Sequence, residues 1–138
     1  MAIHMIKLCV GAETVADLEA WQKRLLQTYP KPVHHTRMSP KRKEEILAGG
    51  SMYWVIKKMI RVRQRIIDIR TVDDRAGKPL CELVFDPELI PVMPRRKRPF
   101  QGWRYLTVGD APQDVEPGHK ASDVPLGLDE ALKDAMVW

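Results

Sequence analysis

Two adjacent histidines, His34 and His35, are the most reactive-looking pair in this 138-residue chain, and a serine after two glycines, Gly49-Gly50-Ser51, is the next. Neighbours on an extended segment point to opposite sides, so the histidine pair is not a natural two-ligand metal site. His4 and His119 lie elsewhere, and no Cys or His spacing resembles a zinc motif, so neither metal nor cofactor is expected. A histidine could serve as general base beside Asp68 or Asp73, although no residue order supports that chemistry. Gly49 and Gly50 are expected to end a helix, whereas a phosphate cradle needs glycines that begin one. They would still let a ligand approach the backbone closely. Cys9 and Cys81 each fall in an apolar, strand-like run and are expected to be buried free thiols.

Cations offer a stronger pattern. MIRVRQRIIDIR, residues 59 to 70, alternates apolar and charged positions and places Arg61, Arg63 and Arg65 on one side of a strand. Residues two apart on a strand are separated by roughly 7 Å, near the spacing of phosphates along an extended nucleic-acid strand. The guanidinium fork suits phosphate. Residues 37 to 70 hold ten Lys or Arg against three acids, and Arg95, Arg96, Lys97 and Arg98 add four cations in PRRKRP. Residues 107 to 138 reverse the sign, with seven acids and two lysines. The formal net charge of +5 and the pI of about 9.4 therefore conceal a strong asymmetry along the chain. A basic half favours a polyanionic partner, with Trp54, Trp103 and Tyr105 as candidate stacking rings. The competing expectation is a solvated face whose arginines pair with the acidic tail or with Asp68, and aromatics that belong to the core.

These residues need elements to position them. AIHMIKLCV (2 to 10) reads as a strand apolar on both faces. Thr14 caps a following helix of about four turns, with Asp17 completing a capping box and Val15, Leu18, Trp21 and Leu25 as its apolar stripe; Glu19, Gln22 and Lys23 fall off that stripe. Ser39 and Pro40 open a short second helix with Ile46 and Leu47 as its narrow apolar face, and Gly49 or Gly50 closes it. SMYWVIK is a strand presenting Met52, Trp54 and Ile56 on one face. In the arginine-rich strand Ile66 and Ile67 are adjacent, so the apolar phase flips: Ile60, Val62 and Ile66 face inward before the fault, Ile67 and Ile69 after it. A bulge or sharp bend near Arg65 follows. VDDRAGK (72 to 78) has hairpin chemistry, PLCELVF returns as a strand, PRRKRP is a loop, and PFQGWRYL is a further strand. The expected fold is a single α+β domain over residues 1–138, with a curved, partly closed and mainly antiparallel sheet of about five strands and about three helices. Residues 109–125 form a proline-rich surface loop and 126–137 a C-terminal helix.

The length suits one domain with a real core, and 44% hydrophobic with 30% charged residues fits a soluble globular chain. The start lacks the pattern of a signal peptide, and no apolar run approaches the roughly 20 residues of a membrane helix. The cytoplasm is the expected location.

HTRMSPKRKEEILAGGSMYWVIK, the RQRI after it, and RPFQGWRYL together resemble a bacterial family catalogued as a domain of unknown function, number 1489. The resemblance runs from IKLCVG to the DAP at 110 to 112. It implies an intracellular protein of about this length and no established activity. The family's usual glycine after WVIK is Lys58 here, which questions a tight backbone turn at that point. A looser, architectural likeness is to PUA-like domains, the small β-barrels of the pseudouridine-synthase-and-archaeosine-transglycosylase type, whose relatives often bind RNA; no motif matches residue by residue. The expected function is non-catalytic binding of nucleic acid, RNA in preference. Arg61, Arg63, Arg65, Arg95, Arg96, Lys97 and Arg98 would contact phosphate, and Trp103 or Tyr105 would stack a base. The alternatives are an enzyme acting on a nucleotide or nucleic acid through His34 or His35 near Gly49-Gly50, and a protein-interaction module.

Overall fold

The structure, a computed structural model, describes residues 2–115. Of the loop expected over 109–125, residues 109–115 are described; the rest of it, His119 and the helix expected over 126–137 lie outside the described residues. Among the described residues, seven strands and two helices run in the order β1 (His4–Leu8), α1 (Val15–Leu25), β2 (Val33–Thr36), α2 (Lys43–Leu47), β3 (Ser51–Ile56), β4 (Met59–Asp73), β5 (Pro79–Phe85), β6 (Ile90–Arg96) and β7 (Trp103–Leu106). The strands form one mixed sheet in the order β2-β5-β4-β3-β1-β7, with β6 also paired to β4. The fold is α+β and rich in sheet, as expected. It is an open sheet rather than a closed barrel, because β2 and β7 stay as unjoined edges. The pairing of β1 with β3 is parallel and the other pairings are antiparallel.

Helix α1 begins where the capping box predicts: Thr14 Oγ1 accepts from the Asp17 amide (3.2 Å), and Asp17 Oδ2 accepts from the Thr14 amide (3.1 Å). Its buried residues are Val15, Leu18 and Gln22, with Trp21 partly buried against the core. Burial of Gln22 departs from the sequence expectation, and its cause lies on β4. Gln22 Nε2 donates to Gln64 Oε1 (2.7 Å), and Gln64 Nε2 donates back to Gln22 Oε1 (2.8 Å). The same Gln64 amide accepts from Trp54 Nε1 (3.2 Å) and donates to the Asp86 carbonyl (2.9 Å). A fully buried amide with all its groups engaged avoids the cost of an unmet polar atom.

Strand β4 carries two faults. Trp54 pairs with Val62 but Val55 pairs with Ile60, leaving Arg61 as an extra residue. Ile66 pairs with Phe85 and Asp68 with Val84, leaving Ile67 extra. The expected bulge near Arg65 is therefore two residues further on, and a second one was not foreseen. Each insertion moves later side chains to the other face. Val62, Ile66 and Ile69 join the larger core with Met52, Trp54, Ile56 and Phe85. Ile60 packs on the opposite face with Ile6, Tyr53, Val55 and Val92, and Ile67 is exposed rather than inward.

Two strands escaped the sequence reading. β2 reads from sequence only as extended chain, and β6 holds Pro91 and Pro94, which argue against a central strand; it pairs with β4 alone among the named strands, and it takes Pro94, Arg95 and Arg96 out of the expected PRRKRP loop. Helix α2 is capped by Arg42 without a side-chain bond, not by Ser39, and of its expected face Ile46 is fully buried while Leu47 is exposed. Gly50 is fixed by space: a Cβ there would lie 2.2 Å from the Ile3 carbonyl oxygen and 2.6 Å from that of Ile46.

The turn between β3 and β4 is tight without glycine. Lys57 and Lys58 both take the left-handed conformation, at φ 51° and 65°, in a two-residue hairpin loop whose twist matches the flanking strands. A side chain in that region costs on the order of 1 kcal/mol. Lys58→Gly is thus expected to raise the unfolding free energy by about 1 kcal/mol in urea melts. Gln22→Leu, which leaves Gln64 partly unmet, is expected to cost ~1–3 kcal/mol. The Gln22→Leu/Gln64→Leu double variant should lose less than the sum of the two single losses, as a double-mutant cycle will read.

Candidate functional site

The arginine row does not form three equivalent cations. Arg63 Nε and Nη2 donate to the two carboxylate oxygens of Asp114 (2.7 and 2.8 Å), and Nη1 donates to Ser51 Oγ (3.0 Å). That fork holds the Asp114 carboxyl below the usual carboxylate range. It is the pairing with the acidic segment that competed with a phosphate track. Arg61, the bulged residue, donates from Nε to the Ile56 carbonyl (3.1 Å) and so folds back onto its own turn. Arg65 is exposed.

A different set of cations converges. The Lys97 amide donates to the Lys58 carbonyl (2.8 Å), and Arg96 pairs with Met59, so the end of β6 lies beside the β3–β4 turn. Arg104 on β7 and Lys97 both sit over the Phe100 ring, at 5.0 and 5.8 Å from its centroid. Lys58, Arg96, Arg98 and Arg104 are exposed and Lys97 half-buried, and none of the five makes an ion pair among the described residues. Arg95 reaches away, donating to the Asp110 carbonyl (2.6 Å). Lys58 and Arg104 were not among the predicted contacts. The signal for Lys58 was the two-lysine turn, and the signal for Arg104 its alternation with Trp103 and Tyr105.

That alternation also moves the two rings off this surface. Trp103 packs against the larger core and donates from Nε1 to the Met38 carbonyl (2.8 Å). The Tyr105 hydroxyl accepts from the amides of Lys41 and Arg42 (2.9 and 3.2 Å), and the rings meet edge to face at 5.0 Å. The pair clasps the segment before α2 to the edge strand β7.

On the opposite face of the sheet a cleft of about 280 Å³ opens between α1, β1 and β2, lined by Lys7, Cys9, Trp21, His34, Trp54 and Phe85 among others. The two histidines diverge as expected. His35 Nε2 is hydrogen-bonded to Glu82 Oε2 (2.9 Å) across the β2–β5 ladder. His34 turns inward, meets Trp54 edge to face at 5.5 Å, and leaves its Nε2 buried with no hydrogen-bond partner. Burial, helped by the positive charge of Lys7, brings the His34 imidazole down to about 4, so it is neutral through the physiological range. Burial likewise lowers Lys7, and it raises Cys9 to about 11, which keeps that thiol protonated. Cys9 and Cys81 are free and buried. The cleft does not reach Gly49-Gly50. Ser51 instead donates its amide to His4 Nδ1 (3.0 Å), and burial lowers that imidazole too.

The model of the family described as "Protein of unknown function (DUF1489)" matches residues 5–138. The chain belongs to this family. No curated protein matches it, and no solved structure does. The RQRI, GGSMYWVIK and PFQGWRYL segments that carry the resemblance now have places in this family member. The first holds Arg63 and Gln64, the second runs from the Gly50 contact through β3, and the third holds Phe100, Trp103 and Tyr105. No helix among the described residues is long and apolar enough to cross a membrane.

Because His34 titrates from 6.5 in a free imidazole to about 4 in the fold, its contribution to stability depends on pH. Above the unfolded value both states are neutral. Between the two values the unfolded chain takes a proton that the folded chain refuses, so stability falls as pH drops through that window. Relative to His34→Phe, the unaltered protein is expected to lose about 2 kcal/mol more between pH 7 and pH 4.5, measured by denaturant unfolding at each pH.

Proposed function

We propose that the protein binds nucleic acid, RNA in preference, without catalysis, and that the contact surface is the cationic rim of Lys58, Arg96, Lys97, Arg98 and Arg104. The observation that carries this reading is that the end of β6 lies beside the Lys57–Lys58 turn while Lys97 and, on β7, Arg104 share one aromatic ring, with no acid paired to these cations among the described residues. Like charges brought together at a surface raise the local potential and attract a polyanion. In this reading Arg96, Lys97 and Arg98 contact phosphate. Arg63 is a clamp on Asp114, Arg61 is tied to its turn, Arg95 to a carbonyl, and Trp103 and Tyr105 are a clasp. Phe100 takes their place as the ring at the phosphate-binding surface. The bent β4 offers a fold-level analogy to PUA-like domains, and it transfers no residue roles.

Fluorescence anisotropy with single-stranded RNA, duplex RNA and duplex DNA over a salt series tests the reading. The expected result is a linear fall of log affinity with log salt whose slope corresponds to about three or more phosphates. Lys58→Gln, Lys97→Gln and Arg104→Gln should each reduce that slope by about one phosphate equivalent. Arg63→Gln should leave it unchanged. Absence of binding at low salt overturns the assignment.

A further inference from the structure

The aromatic cleft is chemically unlike the cationic rim and asks for a different ligand. Alternation along β1 puts Lys7 on the same face as Met5 and Cys9, both part of the larger core, so an ammonium group stands where an apolar residue would serve packing better. β7 begins at Trp103, opposite Lys7, so beyond that point β1 has β3 alone beside it and the cleft opens. Lys7 makes no ion pair among the described residues, although it is half-buried. A second hollow of about 400 Å³ shares Lys7 and His35 with the cleft and continues outward past Thr36, Arg37 and Gln101. In that outer hollow Arg37 is already paired with Asp74 (2.8 Å), which leaves Lys7 as the charge available to a ligand.

Inside, the walls are mostly aromatic and aliphatic; of the polar side chains that line them, Gln22 is bonded to Gln64 and His35 to Glu82, while Nε2 of His34 is buried and unpartnered. Trp54 is held still by its bond to Gln64, and Gln64 by Gln22, so the inner wall is rigid and its polar groups are spoken for. Pockets that bind small molecules combine such apolar walls with a few fixed polar groups. Here those groups are a neutral imidazole nitrogen at depth and a cation at the mouth.

We propose that this cleft binds a small planar aromatic molecule carrying one anionic group, its ring among Trp21 and Trp54, a polar ring edge on Nε2 of His34 and its anion on Lys7. Two sources present that chemistry: a nucleoside monophosphate and an aromatic carboxylate. The site is separate from the cationic rim and uses none of its residues, so either assignment stands or falls without the other.

Two-dimensional NMR of the full chain tests it through the indole N–H signals of Trp21 and Trp54. One arm titrates AMP and UMP beside adenosine and uridine; the other titrates indole-3-carboxylate and benzoate beside indole and benzamide. Inorganic phosphate alone is the control. The expected result is a shift of both indoles in one arm, with the anionic member bound about tenfold more tightly than its neutral counterpart, and the responding arm identifies the source. Lys7→Gln should abolish the anionic preference, and His34→Phe should weaken both members of the pair. If a variant fails to fold, the anionic-against-neutral comparison in the unaltered chain decides. Absence of indole shifts at millimolar ligand in both arms overturns the proposal. So does equal binding of charged and neutral members, or binding that both variants leave intact.

Discussion

Two inserted residues on one strand decide what is inside this protein. β3, β5 and β6 all hydrogen-bond to β4, so the direction of each β4 side chain is inherited by its neighbours. Without the extra residue at Arg61, Ile60 and Val62 would face the same way and one of the two cores would lose its aliphatic centre. Without the extra residue at Ile67, Ile69 would point away from Leu83 and Phe85. A side-chain period of two makes a one-residue insertion a complete reversal. The bulges thus let a single strand serve two cores on opposite faces.

The same geometry separates the chemistry of the two faces. Arg63 and Gln64 are adjacent, yet one meets a carboxylate at the surface and the other an amide in the core. The larger core faces α1 and holds the aromatic cleft, where burial strips charge from His34 and keeps Cys9 protonated. The smaller core supports Phe100, and around it cations gather with the solvent still able to reach them. A half-buried cation at the mouth of an apolar cleft is less screened than one in open water, so Lys7 and the five exposed or half-exposed cations of the other face are not redundant.

Local signals in the sequence were legible where neighbours in sequence are neighbours in space. Thr14 and Asp17 marked the start of α1, the alternation of Met52, Trp54 and Ile56 marked β3, and the adjacent Ile66 and Ile67 marked a fault in β4. Pairing over long separations was not legible. Gln22 and Gln64 are 42 residues apart, and each alone reads as a surface amide. Arg63 and Asp114 are 51 apart, so the row of three arginines hid which member was already matched. Prolines concealed β6, since a residue without an N–H is tolerated where only one neighbour strand makes demands. Of the surface sites, 96 to 98 were visible as a charge run. The cleft was visible only as two histidines that must diverge.

The order of the strands also has a consequence in time. Met5 lies opposite Met52 on one side and Tyr105 on the other, so β1, made before the other described strands, is enclosed only when β7 follows. Its second neighbour is about a hundred residues away along the chain, and closing so long a loop must be met before any contact compensates it. Until then β1 presents an unpaired edge and an apolar face while β3, β5 and β6 pair antiparallel with β4 from more local contacts. The nascent chain therefore has to hold one sticky strand in waiting, and synthesis rather than stability is the stage at which this fold is most exposed to the wrong partner.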